Sequence, residues 1–257
     1  MINLRNGKSK ALYLAKHLRW MTLREREFST QYGGIVVPLF QDVAETFRQT
    51  LELEEALEKI RRGSSDIRRL LEEQTLKVGL SRLEEFDKSL VNALSSKSRH
   101  SIRAREEDQV TRLLQAWCNQ RASISITSIT NTQQKAVRNL VGKMDRGEAT
   151  IEETTKAIQA EGKNRWEWRR VARTELHDVA TYSSLEAAKA SKVVEKKEWV
   201  TAEDGRERPH HQAANGQTVG LEENFWVGGE SISRPGEGSA GNAIHCRCII
   251  IFTTFDS

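Results

Sequence analysis

The residues with the most chemistry in reach form a late cluster: Asp204, His210, His211, His245, Cys246 and Cys248. Thiolate and imidazole are donors that tetrahedral zinc accepts, and a carboxylate can complete such a set. In a metal reading, His211, Cys246 and Cys248 ligate the ion, with Asp204, His210 or His245 as the fourth ligand. A small, glycine-rich region with few core residues would gain stability from such a staple. Against it, Cys-x-Cys is not the usual Cys-x2-Cys knuckle. The competing reading makes both cysteines small buried hydrophobes beside the run Ile249-Ile250-Ile251, with His211 hydrogen-bonded inside a hairpin. Cys246 and Cys248 are too close to bridge without strain, and Cys118 stands apart, which argues against a disulfide framework.

Two other groups invite a functional reading. Lys97, Arg99, Arg103 and Arg105 belong to a polar, basic tract over residues 95–109. Such a tract could contact DNA phosphates or an acidic partner, but it carries no interleaved aromatics and suits a solvated face equally. Arg173-Thr174-Glu175 lies inside a helical pattern. Arg173 and Glu175 project about 200° apart on a helix, so they form no site by themselves. Thr174 is expected to face inward, with the charges bridging to neighbouring segments.

These residues need elements to hold them. None of the three prolines, Pro38, Pro209 and Pro235, lies between residues 39 and 208, and a long Pro-free tract rich in Leu, Glu, Arg and Lys indicates extended helices. Apolar spacing predicts a helix over about residues 9–30, broken at Gly33-Gly34 and Pro38. A second starts at Gln41, and Arg62-Gly63-Ser64-Ser65-Asp66 reads as a stop followed by a new N-cap. Helical stripes continue to Leu94. Residues 121–130 alternate Ser or Thr with Ile, which is strand-like, or else a polar lead-in to the helix over 131–144. Thr150 and Glu153 have capping-box spacing, and the helix they open ends near Gly162. Residues 164–190 are strongly helical.

The texture changes beyond residue 192. Glu198 to Thr201 reads as a strand, Asn215-Gly216 as a two-residue hairpin turn, Gln217 to Val219 as its partner, and Ile249 to Phe252 as a β-type run. A nuclease reading of His210-His211 would need a following helix with further ligands. Gly228, Gly229, Pro235, Gly236, Gly238 and Gly241 make that helix improbable.

Composition sets outer limits. The 257 residues suffice for one large domain or two modest ones. Forty Lys and Arg against 36 Asp and Glu give a net charge of +4, which permits nucleic-acid contact without demanding it. No apolar run approaches a membrane span and no signal-peptide core opens the chain, so a soluble protein without membrane anchor is expected.

In order and spacing, residues 126–252 resemble the phage head morphogenesis domain, the Mu F-like minor head protein family. The resemblance rests on Gly147 and Thr150-Ile151-Glu152-Glu153, then on Ala172-Arg173-Thr174-Glu175, which looks like the family's hallmark. Lys197, Trp199, Asp204, Arg206, Arg208-Pro209-His210-His211, Asn215-Gly216, Phe225, Pro235-Gly236 and Cys246-Arg247-Cys248 complete it. Some relatives carry Cys-Pro-x-Cys before the Gly, suggesting a metal site closed by the final Cys-x-Cys. Here Arg208 stands where the first of those cysteines would be, and His211 where the second would be.

The resemblance implies a structural, non-catalytic minor head protein of a tailed bacteriophage. It would be made in the host cytoplasm and held inside the procapsid or virion head with the portal, acting in head assembly and in DNA packaging or ejection. The expected fold is α+β: a mainly α-helical N-terminal and central region, then a small hairpin-rich C-terminal knob that zinc would staple. Residues 1–125 are expected to be a helical docking and assembly region for portal, major capsid or scaffold protein. Residues 126–257 would be the Mu F-like domain, helical over 126–191 and β-rich over 192–257. The alternatives are a metal-dependent nuclease or phage-delivered toxin-type enzyme, and a DNA-binding accessory protein that holds phage DNA through the basic tract.

Overall fold

The computed structural model describes residues 7–93 and 106–255. The chain runs α1 (Gly7–Thr50), α2 (Leu53–Ala93), α3 (Glu106–Asp145), α4 (Ile151–Glu161) and α5 (Arg165–Ser191), then β1 (Val194–Val200), α6 (Pro209–Ala214), β2 (Thr218–Gly220), β3 (Phe225–Val227), β4 (Glu230–Ile232), α7 (Ala240–Ala243) and β5 (Ile249–Thr254). It is an α+β protein, helical first, with small antiparallel sheets at its C-terminal end. The basic residues Lys97, Arg99, Arg103 and Arg105 lie outside the described residues.

Two compact units share the chain, and each draws on residues from both sides of position 125. One comprises residues 26–74 and 119–172, the other 1–25, 75–118 and 173–257.

The first of these is all-helical, and it corrects two expected helix breaks. α1 continues through Gly33, Gly34 and Pro38, at the loss of one backbone hydrogen bond to the proline. Its buried stripe Phe28, Tyr32, Val36, Phe40, Val43 and Phe47 recurs every three or four residues straight across the supposed break. Gly33 is a contact point: a Cβ there would sit 2.5 Å from the Trp168 ring of α5. Gly63 does the same within α2, where a Cβ would lie 2.5 Å from Leu39, so the expected stop is a close packing point inside one long helix. Burial of an apolar face outweighs the roughly 1 kcal/mol helix penalty of a glycine.

The Ser/Thr–Ile alternation over 121–130 is also helical, inside α3. Ala122, Ser125, Ile129 and Gln133 are buried at helical spacing, whereas Ile124 is exposed. Ser123 and Thr127 donate to the carbonyls four residues back, both at 3.0 Å, which occupies hydroxyls that would otherwise compete with the helix. The capping box at Thr150 and Glu153 is formed as its spacing predicts, and Gly162 closes α4.

The second unit is built on a three-stranded antiparallel sheet, β2-β1-β5, with β1 in the centre. β5 lies along β1, pairing Trp199 with Ile250 and Val200 with Ile249. Leu14 of α1 packs with Val200, Ile249 and Ile251, and Phe86 of α2 meets Phe252 edge-on at 5.7 Å. Another core gathers Trp199, Ala214, Phe225, Val227, Ile232, Cys246 and Cys248 around the β3–β4 hairpin. Lys192 takes a left-handed conformation (φ 55°) where α5 ends and β1 begins, close to the expected boundary.

Asn215-Gly216 is not the two-residue hairpin turn the pair suggests. Pro209 starts helix α6 at its first position, where its missing N–H costs nothing. The Asn-Gly pair instead fastens the end of α6 to β1. The Asn215 side chain accepts from the Thr201 amide (3.0 Å), and the Gly216 amide donates to the Trp199 carbonyl (2.8 Å).

Candidate metal centre

One face of α5 faces the loops around β4 and α7, and it is polar. Thr174, His177, Asp178 and Thr181 follow the i, i+3, i+4, i+7 pattern that usually carries a core stripe, and all four are buried. The His245 amide donates to the Thr174 hydroxyl (3.3 Å). Arg234 donates to the Asp178 carbonyl and to the Thr181 hydroxyl, each at 3.1 Å, and forms an ion pair with the Asp178 carboxylate. Thr181 in turn donates to the Pro235 carbonyl (2.7 Å). The Arg234 guanidinium also lies over Trp117 and Tyr182, which stack on each other. The Arg234 charge, the Pro235 carbonyl and the His245 amide thus find their partners on the helix, as burial requires.

Between that face and β1, His211, Cys246 and Cys248 come together. Their ligand atoms lie within 4.8 Å of one another and all three residues are buried. α6 supplies the histidine, and the two cysteines flank Arg247 between α7 and β5. Trp199 closes one side, edge-on to the His211 ring at 5.5 Å. His211 Nε2 is 3.1 Å from the Asn242 side-chain oxygen, whose amide nitrogen donates to the Val227 carbonyl (3.2 Å). Asn242 therefore accepts, the imidazole carries its proton on Nε2, and the Nδ1 lone pair faces the sulfurs. Nδ1 stands 3.4 Å from Cys248 Sγ and 3.9 Å from Cys246 Sγ. A partner on the far ring nitrogen that fixes the tautomer is what a metal-binding histidine needs.

The thiols are free. Burial raises the Cys246 pKa, but hydrogen bonds from Cys248 and His177 and the charge of His177 outweigh it and hold this thiol well below its ordinary range. Cys248 moves the other way, driven up by its bond to Cys246 and by burial. Two sulfurs and an imidazole nitrogen, dry and convergent, form a soft donor set that fits zinc-class chemistry.

The three residues weighed from sequence as fourth ligand lie outside this group. Asp204 is exposed and pairs with Arg247 (2.8 Å) and Arg206 (3.0 Å). Burial opposes its charge, but those two guanidinium groups prevail and keep its carboxyl below the usual range. His210 is half-buried, its ring edge-on to His211 at 4.7 Å, and His245 is half-buried with its amide on Thr174. Arg208 donates to the Ile244 carbonyl, bracing the loop that carries Cys246. Arg173 pairs with Glu25 of α1 (2.9 Å), and Glu175 is buried. His177, Asp178, Arg234 and Asn242 escaped the sequence reading. The signal was present for the helix residues, as a polar stripe at helical spacing.

Residues 134–251 match the family described as Phage Mu protein F like protein. Neither the curated proteins nor the solved structures contain a match to the chain.

Proposed function

We propose, on the footing that residues 134–251 belong to the Phage Mu protein F like family, that this chain is a structural component of a tailed-phage head, held inside the procapsid against the portal. The family match is the observation that carries the reading. Within the matched segment, the Arg173-Thr174-Glu175 motif acts as an architectural joint: Thr174 receives the His245 amide, beside the closing Cys-x-Cys. That use of the motif supports assembly rather than catalysis. Portal, major capsid or scaffold protein are the partners, and the site of action is the head interior, during assembly and DNA packaging or ejection. Zinc held by His211, Cys246 and Cys248 supplies a cross-link between α6 and the loop before β5.

The test is to assemble procapsids with and without this chain, in the presence of portal and capsid proteins. The chain is expected to sediment with procapsids and to be lost from those built without portal. Its absence from heads that assemble and fill normally overturns the reading. So does plasmid cleavage by the purified chain with Mg²⁺, Mn²⁺ or Zn²⁺ that His211→Ala abolishes.

A further inference from the structure

A zinc-class ion takes four ligands in a closed structural site, and His211, Cys246 and Cys248 provide three. His177 borders this trio from α5. It is 2% exposed, and its Nε2 is buried without a hydrogen-bond partner. A buried imidazole nitrogen without a protein partner keeps a lone pair that an ion can use. Its charge acts on the Cys246 thiol, and its nitrogens stand just outside the group whose ligand atoms lie within 4.8 Å of one another, so the ring has to close in to reach an ion held there. The Gly236 backbone closes over it: a Cβ on that glycine would stand 3.4 Å from His177 Cδ2.

His177 also occupies the right register. It lies one helical turn beyond Thr174, whose hydroxyl holds the His245 amide and so fixes the residue before Cys246. Asp178 and Thr181 pin the Arg234–Pro235 segment on the same face. The helix face that positions the cysteine loop therefore carries one more buried donor beside that loop.

We propose that His177 is the fourth ligand of this centre, completing a His2Cys2 set for a divalent ion of the zinc class. The ion would then join α5 to the C-terminal loops. The proposal rests on the metal reading of the trio and is independent of where the chain sits in a phage head.

The test is cobalt and zinc titration of the metal-stripped full chain, followed by absorption spectroscopy. The wild type is expected to bind one equivalent of Co²⁺, with tetrahedral d–d bands and thiolate-to-cobalt charge transfer. His177→Ala is expected to weaken binding at least roughly tenfold. His177→Cys is expected to restore binding and raise the charge-transfer intensity by about half, three thiolates replacing two. Far-UV circular dichroism checks that α5 persists in both variants. Wild-type affinity and spectrum in both variants overturn the role of His177 and leave the trio standing. Failure of the wild type to bind either metal overturns the trio and the fourth ligand together.

Discussion

Arg234 lies buried against Asp178, the two residues 6% and 2% exposed, and this pair joins α5 to the loop that follows β4. Removing one partner strands a charge away from water. Arg234→Ala is expected to cost about 3–5 kcal/mol in urea unfolding. A loss under about 1 kcal/mol would show that the pair contributes little beyond packing.

Thr174 is expected to act through its hydroxyl. Thr174→Val leaves the His245 amide without its acceptor and should destabilise the fold by about 1–3 kcal/mol, while Thr174→Ser keeps most of the stability. A loss in Thr174→Ser that Thr174→Val is spared would place the effect in the methyl group.

Lys197 gives a pH signature. It is 1% exposed, donates to the Ser233 carbonyl (2.9 Å) and lies over the Phe225 ring. Burial, then the charge of Lys189, pushes its pKa down from 10.5 to about 8. Because the folded value lies below the unfolded one, unfolding takes up a proton between those two pH values. Stability should therefore rise with pH across that window, by at most about 3 kcal/mol, and the gain is absent below it. The rise should vanish in Lys197→Met. A slope identical in both proteins assigns it to other groups.

The thiols should separate by metal removal. Burial pushes Cys118 up to about 11, so it stays unreactive towards a thiol reagent at neutral pH. Cys246 and Cys248 are expected to react only after a chelator has removed zinc, and the thermal midpoint should fall at the same step. Unchanged reactivity and midpoint with chelator would show that no metal protects them.

The sequence exposed the parts of this fold governed by local chemistry. The Thr150–Glu153 capping box, the end of α4 at Gly162 and the β-character of Ile249 to Phe252 were all readable from neighbouring residues. Gly33, Gly63 and residues 121–130 misled because tertiary packing decided them: each lies on a helix whose buried stripe continues through the supposed signal. At the candidate metal centre, His211, Cys246 and Cys248 stood out by residue type. His177, Asp178 and Asn242 did not, since a buried polar stripe resembles a solvated one until its partners are known. The Asn-Gly pair shows the same limit, because Pro209 had already committed the preceding residues to a helix.

The meeting of Leu14 with Ile249 and Ile251 bears on how the chain is made. β5 is the last described strand, and both its sheet partner β1 and its packing partner in α1 are synthesised long before it. The core of this unit therefore has to wait, open, until residues as late as Thr254 leave the ribosome. A nascent chain stalled ahead of β5 would leave Leu14, Val200 and Phe86 uncovered, an apolar surface open to chaperones or to aggregation.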